Sequence, residues 1–446
     1  MDFREYARAF DEVERDFENA VAAWGVPFEE HESAPRAERV RTATACGCRC
    51  ENATGSLWRN WVSPACVACR TGEETATFFV DLRCTKQCYF CFNPNQDNYE
   101  YFLAHKRNIV AELEQAHKAG VRFKHVAVTG GEPMLYRDHV CAFLRRAHEL
   151  FPGVHTRLYT SGDLLDESGL RQLAESGLSE IRFSVKPADV GGGAAVGDAG
   201  VSADVGDTHA GGATAHDRLY ALMAQAVDII PDVVIEVPVI PGSLADMQDM
   251  LRRADAIGVR GVNLLEFCFP LHNAEEFRKR GFKLRKHPYN YLYDYWYGGG
   301  IPVAGSETEA LALMEFAARE NLALGVHYCS SDNKNTGQIF QQNKAFASDA
   351  ALRARYPWMA ADPADRFLKC AKAFGTDAHA VCAWAKNEGV TCGFDPDVPA
   401  ASFPLEATAQ VRAAFPQATL CESVNVVEQQ DDGALDLREV AVSPIR

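Results

Sequence analysis

At 446 residues, with 47% hydrophobic and 24% charged side chains, the chain has the composition of an ordinary folded protein of two or three domains, not a disordered or fibrous one. Acidic residues outnumber basic ones 61 to 45, and the net charge of −16 argues against a broad phosphate-tracking surface and hence against a nucleic-acid partner. The charged N-terminus "MDFREYARAFDEVERDFENAVAAW" reads as neither signal peptide nor membrane span, so the expected location is the cytoplasm, where 15 cysteines point to metal or redox chemistry rather than disulfides.

In chain order, residues 1–40 read as an amphipathic helical arm and a linker. Residues 41–74 form a loop-rich, cysteine-rich metal-binding module in which Cys-x-Cys and Cys-x2-Cys pairs flank a spacer of fifteen residues. Five thiols compete there for four places. Gly47 permits a tight turn, which favours Cys46, Cys48, Cys66 and Cys69 as ligands of either a structural zinc or an auxiliary iron–sulfur cluster.

From 75 to 275 strand and helix patterns alternate six times. "TATFFVDLRC", "FKHVAVTGGEP", "VHTRLYTSG", "SEIRFSVKP", "DVVIEVPVIPG" and "VRGVNLLEFCF" are the strands, each separated from the next by an amphipathic helix. Such alternation predicts an α/β fold, a partial (β/α)6 parallel barrel with the cysteine-rich module before it and a C-terminal cap after it. A Gly/Ala-rich insertion at 190–216 reads as a loop. Residues 276–345 extend the barrel with an aromatic run at 287–302 and a further strand, "NLALGVHYC". Residues 346–446 form the cap, with a hairpin turning at "DDG". The cap's Cys370, Cys382, Cys392 and Cys421 are spaced too widely for a compact metal knuckle.

Parallel α/β folds gather their chemistry at the carboxyl ends of the strands. Cys84, Cys88 and Cys91 follow the first strand, Gly130, Gly131, Glu132 and Pro133 the second, Thr160, Ser161 and Gly162 the third, and Ser184 and Lys186 close the fourth. Three thiolates suit a four-iron cluster with one iron left open, or a zinc ion with one further ligand.

A Cys-x3-Cys-x2-Cys loop after the first strand with Gly-Gly-Glu-Pro after the second resembles the radical S-adenosylmethionine superfamily over residues 75–270, and most of all its pyruvate formate-lyase activating enzyme-related branch. The resemblance implies a [4Fe-4S] cluster on Cys84, Cys88 and Cys91 whose open iron is chelated by S-adenosylmethionine. It implies that Phe90 packs near the adenine, that Gly130, Gly131, Glu132 and Pro133 receive the methionine amino group, and that Ser184 and Lys186 contact the carboxylate or ribose. Thr160 and Ser161 stand where many members have Thr-Asn, so Ser161 departs from the pattern. The implied activity is reductive cleavage of S-adenosylmethionine and hydrogen abstraction, with an electron donor such as flavodoxin or ferredoxin. A peptide or protein is the expected substrate, with a small metabolite as the alternative and a non-catalytic metal-binding scaffold as a third reading. Cys329 and Cys268, at the ends of later strands, are candidates for a hydrogen-donor or thiyl role.

Overall fold

The computed structural model describes residues 2–29, 36–52, 55–185, 215–293, 300–346, 349–363 and 366–445. The chain divides into two units, one comprising Val26–Pro288 with Gly299–Asn333, the other Met1–Gly25 with Tyr289–Gly298 and Lys334–Arg446.

The first unit is built on a nine-stranded sheet. Its strands are β1 (Arg49–Glu51), β2 (Ser56–Arg59), β3 (Thr75–Phe79), β4 (His125–Thr129), β5 (His155–Thr160), β6 (Glu180–Phe183), β7 (Asp232–Val239) and β8 (Gly261–Glu266). A two-stranded ribbon of β9 (Cys268–Phe269) and β10 (Ile301–Pro302) lies outside the sheet, which takes its last strand from β11 (Gly325–Cys329). The order is β1-β2-β11-β8-β7-β6-β5-β4-β3. β3 to β8 run parallel, each beside the next in sequence, and β11 adds a seventh parallel strand beside β8. The six expected strands are therefore present in the expected order, and the fold is the partial parallel α/β barrel. A sheet whose neighbours follow sequence order has no point of reversal, so its chemistry collects along one rim.

Alternation along the strands sorts the two faces. Val126 and Val128, Leu158, Ile181 and Phe183, Val233 and Ile235, Val262 and Leu264, and Val326 are all buried in one apolar core with the crossover helices Ile109–Lys118, Arg137–Leu150 and Leu244–Ala256. The intervening positions Arg157, Arg182, Glu236, Asn263 and His327 carry polar groups onto the opposite face. An apolar face against helices contributes the bulk of the stability, at about 25 cal/mol per Å² buried. A polar second face is free for other work.

The cysteine-rich stretch, expected as loop, contains a hairpin and a helix. β1 and β2 pair antiparallel, and β2 pairs antiparallel with β11. Leu57 on β2 is fully buried in the main core, which fixes the hairpin on the sheet. The chain then enters helix Pro64–Thr71, where the Ser63 hydroxyl accepts the Ala65 N–H at 3.2 Å and Gly72 closes the C-terminus at φ +62°. An N-cap of this kind stabilises by about 1 kcal/mol. Trp61 packs on Gly261 and Gly325, where a Cβ would meet it at 2.8 and 2.4 Å, and Ser63 donates to Glu180 at 2.6 Å. All three partners open their strands, so this segment crosses the amino ends of the sheet.

The second unit contains the antiparallel strands β12 (Ala360–Ala361), β13 (Leu368–Phe374), β14 (Gly393–Asp395), β15 (Ala400–Phe403), β16 (Thr419–Gln429) and β17 (Leu435–Pro444), in the order β14-β15-β13-β16-β17 with β12 on β13. β16 and β17 form the hairpin expected at "DDG", with Gln429 opposite Leu435. The N-terminal helix Phe3–Ala22 belongs to this unit, where Phe3 and Tyr6 pack on Phe374 with ring centroids 5.8 and 5.0 Å apart. Tyr291 of the aromatic run packs at a tilt of 49° against Phe367, with centroids 4.6 Å apart, on the edge of a small apolar core. Cys370 and Cys421 are buried in the same unit, and burial pushes both thiols up to about 12. Among the described residues no helix is long and apolar enough to cross a membrane.

Candidate active site

The carboxyl ends of β3, β4 and β5 bring three loops together. Cys84, Cys88 and Cys91 lie on the loop after β3, all half-buried and none in a disulfide. A single tetrahedral zinc, with Zn–S of about 2.3 Å, needs thiolates about 3.8 Å apart, whereas thiolates that each bind a different iron of a cluster sit farther apart. Three thiols on one loop are a donor set that suits a four-iron cluster with one iron left open.

The β4 turn presses directly on this loop. A Cβ at Gly131 would meet the Arg83 carbonyl oxygen at 1.7 Å, and one at Gly130, whose φ is +115°, would meet the Asp81 carbonyl at 2.6 Å. Only glycine allows that approach. Two backbone bonds close it, Gly131 N–H to Asp81 at 3.2 Å and Glu132 N–H to Arg83 at 2.7 Å. Glu132 is buried and fully engaged. Its carboxylate accepts from the Thr160 hydroxyl, the Ser161 N–H and the Ser161 hydroxyl, each at 2.7 Å, and from the Met134 N–H at 3.1 Å. Pro133 opens the short turn that follows. Ser161, which departs from the more usual Asn, thus keeps a definite place by holding Glu132.

Four side chains that the sequence reading did not single out anchor the cysteine loop. Asn93 donates to the Gly130 carbonyl at 2.8 Å, Asn95 to Pro270 at 2.6 Å, His272 to Cys91 at 2.6 Å and Asn273 to Tyr89 at 3.1 Å. The Asn-Pro-Asn run after Cys91 is the one local hint of this role. Phe90 packs edge-on against Tyr89 and Phe267, at 5.0 and 5.6 Å between centroids. Ser184 follows β6 and donates its N–H to Thr160 at 2.9 Å. Lys186 and the insertion from 190 to 214 lie outside the described residues.

Cys329 is the last residue of β11, and Cys268 opens β9 just after the adjacent strand β8. Cys268 is buried with Sγ 2.8 Å from the Ser331 hydroxyl, and Cys329 is half-buried with Asn333 donating to it at 3.4 Å. Beside them Glu266 accepts the Ser331 N–H at 2.7 Å and pairs with Arg285 at 2.8 Å, which also reaches Glu307 at 3.1 Å. Burial, with Glu307 nearby, pushes the Glu266 carboxyl up against the opposing pull of Arg285.

Cys46 and Cys69 are exposed, and Cys48 is buried in the main core, where burial pushes its thiol up to about 11. Cys66 instead faces the polar side of the sheet, where Arg182 and Asn263 donate to its Sγ at 3.2 and 3.3 Å. Asn263 also donates to Glu236 at 3.0 Å and accepts from His327 Nδ1 at 3.0 Å, leaving Nε2 to accept from the Ser56 hydroxyl at 3.0 Å. Burial alone would raise the Cys66 thiol, but the Arg182 guanidinium and His327 outweigh it and hold the thiol down at about 6. The guanidinium thus favours the thiolate form of this group.

A sequential parallel barrel whose first strand runs into a three-thiol loop, locked by glycine contact to a Gly-Gly-Glu-Pro turn after the second, is the arrangement that the resemblance to the radical S-adenosylmethionine superfamily implies. Residues 82–254 match the family model of the Radical SAM superfamily. A protein of Methanocaldococcus jannaschii provisionally named a glycyl-radical enzyme activating enzyme is 25% identical over 281 residues, 61% of this chain and 64% of that one. A PqqA peptide cyclase of Granulibacter bethesdensis is 32% identical over 108 residues, 24% of this chain and 28% of that one. The chain thus spans less than two thirds of the length of either relative. The crystal structure of Streptococcus suis SuiB bound to S-adenosylmethionine aligns with a TM-score of 0.39 at 14% identity, covering 58% of this chain and 50% of that one, a likeness too slight to bear on function.

Proposed function

We propose that the chain uses a [4Fe-4S] cluster on Cys84, Cys88 and Cys91 to cleave S-adenosylmethionine reductively and abstract hydrogen from a peptide or protein substrate. The observation that carries this reading is the packing of Gly131 against Arg83, so close that an added Cβ would lie 1.7 Å from the Arg83 carbonyl oxygen, which couples the thiol loop to the turn that would receive the methionine end of the cofactor. When bound, the cluster and S-adenosylmethionine supply one-electron cleavage of a carbon–sulfur bond, chemistry that no side chain can perform. The protein's share is placement. Gly130 and Gly131 let the β4 turn close against the Asp81 and Arg83 carbonyls beside the thiol loop, Thr160 and Ser161 hold the Glu132 carboxylate in one orientation, and Phe90 offers an aromatic wall. Asn93, Asn95, His272 and Asn273 keep the thiol loop from drifting. A peptide or protein substrate is supported by the names of two relatives, one an activating enzyme of an enzyme and the other a peptide cyclase. A flavodoxin or ferredoxin is the fitting class of electron donor.

Anaerobically reconstituted protein is expected to bind iron and sulfide and, once reduced, to form 5′-deoxyadenosine. The Cys84→Ala, Cys88→Ala, Cys91→Ala triple variant should form none, and undiminished cleavage by it would sink the proposal. Deuterium transfer from size-fractionated cell extract identifies the substrate class. Activity confined to the low-mass fraction would replace the peptide reading with the metabolite one.

A further inference from the structure

At the opposite, amino end of the barrel lies a second group of ligand-bearing side chains. His155 opens β5, Glu180 opens β6 and Asp232 opens β7. Glu180 and Asp232 are direct cross-strand partners, and both fall on the polar face of the sheet. One ligand atom from each of the three residues lies within 4.8 Å of the other two, and no other triple of His, Cys, Asp or Glu among the described residues does so.

Two features make this set unusual. Like charges directly opposite on neighbouring strands repel, so the Glu180 and Asp232 pair needs a cation between or beside it. The cations present are unevenly shared. Arg182 and the Ser63 hydroxyl donate to Glu180 at 2.5 and 2.6 Å, and Arg157 stands opposite Glu180 on β5, while among the described residues Asp232 has one ion pair, with Arg260 at 3.6 Å. The second feature is the imidazole. Both ring nitrogens of His155 are buried without a hydrogen-bond partner, although its Nε2 lies 3.5 Å from a Glu180 oxygen. His125, its direct neighbour on β4 with ring centroids 5.4 Å apart, likewise has a buried Nδ1 with no partner. Each orphaned buried polar atom costs about 1–3 kcal/mol unless something absent satisfies it.

The geometry points to a divalent transition-metal site of the zinc type, held by His155, Glu180 and Asp232 with His125 adjacent. One imidazole and two carboxylates are ligands zinc accepts at about 2.0–2.2 Å, and a bound cation would neutralise the acidic pair and occupy the orphaned nitrogen. The site is separate from the thiol loop because it lies at the other ends of the strands, and the amino end of a parallel barrel is where residues serve stability. Its role is to tie β5, β6 and β7 together beneath the polar face.

Zinc and cobalt(II) are the probes, applied to the full-length protein. Wild type should bind about one more zinc per chain than Asp232→Asn or His155→Gln. Cobalt(II) at this site should give visible ligand-field bands without the sulfur-to-metal charge transfer that cysteine sites show, and those bands should vanish in either variant. Chelation should lower the melting temperature of wild type and leave that of Asp232→Asn unchanged. Asp232→Asn keeps the side chain's shape at a partly exposed position and so guards against loss of fold by His155→Gln. Equal zinc in wild type and Asp232→Asn, or a cobalt signal that disappears only when Cys84, Cys88 and Cys91 are replaced, would overturn the assignment.

Discussion

Replacing Gly131 by alanine tests whether the contact between the two motifs matters. The new Cβ would stand 1.7 Å from the Arg83 oxygen, 2.3 Å from its carbonyl carbon and 2.7 Å from the Leu82 carbonyl carbon. All three are backbone atoms, so no rotamer change relieves the clash, and the loop must retreat by about 1.5 Å to restore an ordinary contact. That retreat breaks the Glu132 N–H bond to Arg83 and the Gly131 N–H bond to Asp81. Overpacking costs about 1–3 kcal/mol and each backbone bond about 1 kcal/mol, so a destabilisation of about 3–5 kcal/mol is expected. Arg83 directly precedes Cys84, and a misplacement of this size at a reacting centre lowers turnover about a hundredfold. Urea melting, iron and sulfide content after anaerobic reconstitution, and 5′-deoxyadenosine formation measure the three consequences. Gly120→Ala is the control: its φ of +83°, unlike the backbone at Gly131, itself strains an alanine, yet nothing lies within 4 Å of the added carbon, so any loss there comes without a clash. Wild-type iron content and cleavage in Gly131→Ala would refute the reasoning.

Ser161→Ala removes one of four donors to Glu132, and with the Ser161 N–H retained it should cost about 1 kcal/mol and weaken S-adenosylmethionine binding, read by equilibrium dialysis. Arg285→Met leaves Glu266 and Glu307 without their shared cation and should destabilise by about 3–5 kcal/mol near neutral pH, less in acid as the carboxylates protonate; a pH-independent loss would contradict the pairing. Cys66, with an ordinary thiol value of 9.0 lowered to about 6, stabilises the fold as a thiolate. Relative to Cys66→Ala, that contribution of up to about 4 kcal/mol should be complete above pH 9, decline as pH falls and vanish below pH 6, and equal pH profiles for the two proteins would discount it.

The parallel core was legible because its signals are local. Apolar runs such as "HVAVT" and "DVVIEVPV" bounded by glycine mark strands, and Cys84, Gly131 and Ser161 each follow one within a few residues. What escaped depends on partners distant in the chain. His272 meets Cys91 and Asn93 meets Gly130 only after the sheet has formed, and nothing in the spacing of Cys66 and Cys69 tells that one thiol faces Arg182 while the other is exposed. The hairpin at β1 and β2 was missed because strands of three and four residues carry almost no periodicity. The N-terminal helix is amphipathic in sequence, but its partner Phe374 lies at the far end of the chain.

The connection from Arg59 to Thr75 also sets a mechanical limit on the barrel. It joins β2, next to one edge of the sheet, to β3, which is the other edge. Its eight helical residues span about 12 Å at 1.5 Å each, and the remaining seven reach about 24 Å when drawn straight. The amino-end margins therefore behave like a cord of bounded length, which can slacken but cannot extend beyond about 36 Å without unwinding helix Pro64–Thr71 and pulling Ser63 from Glu180. Any widening of the barrel is thereby directed to the carboxyl-end rim, where the thiol loop and the Gly-Gly-Glu-Pro turn stand.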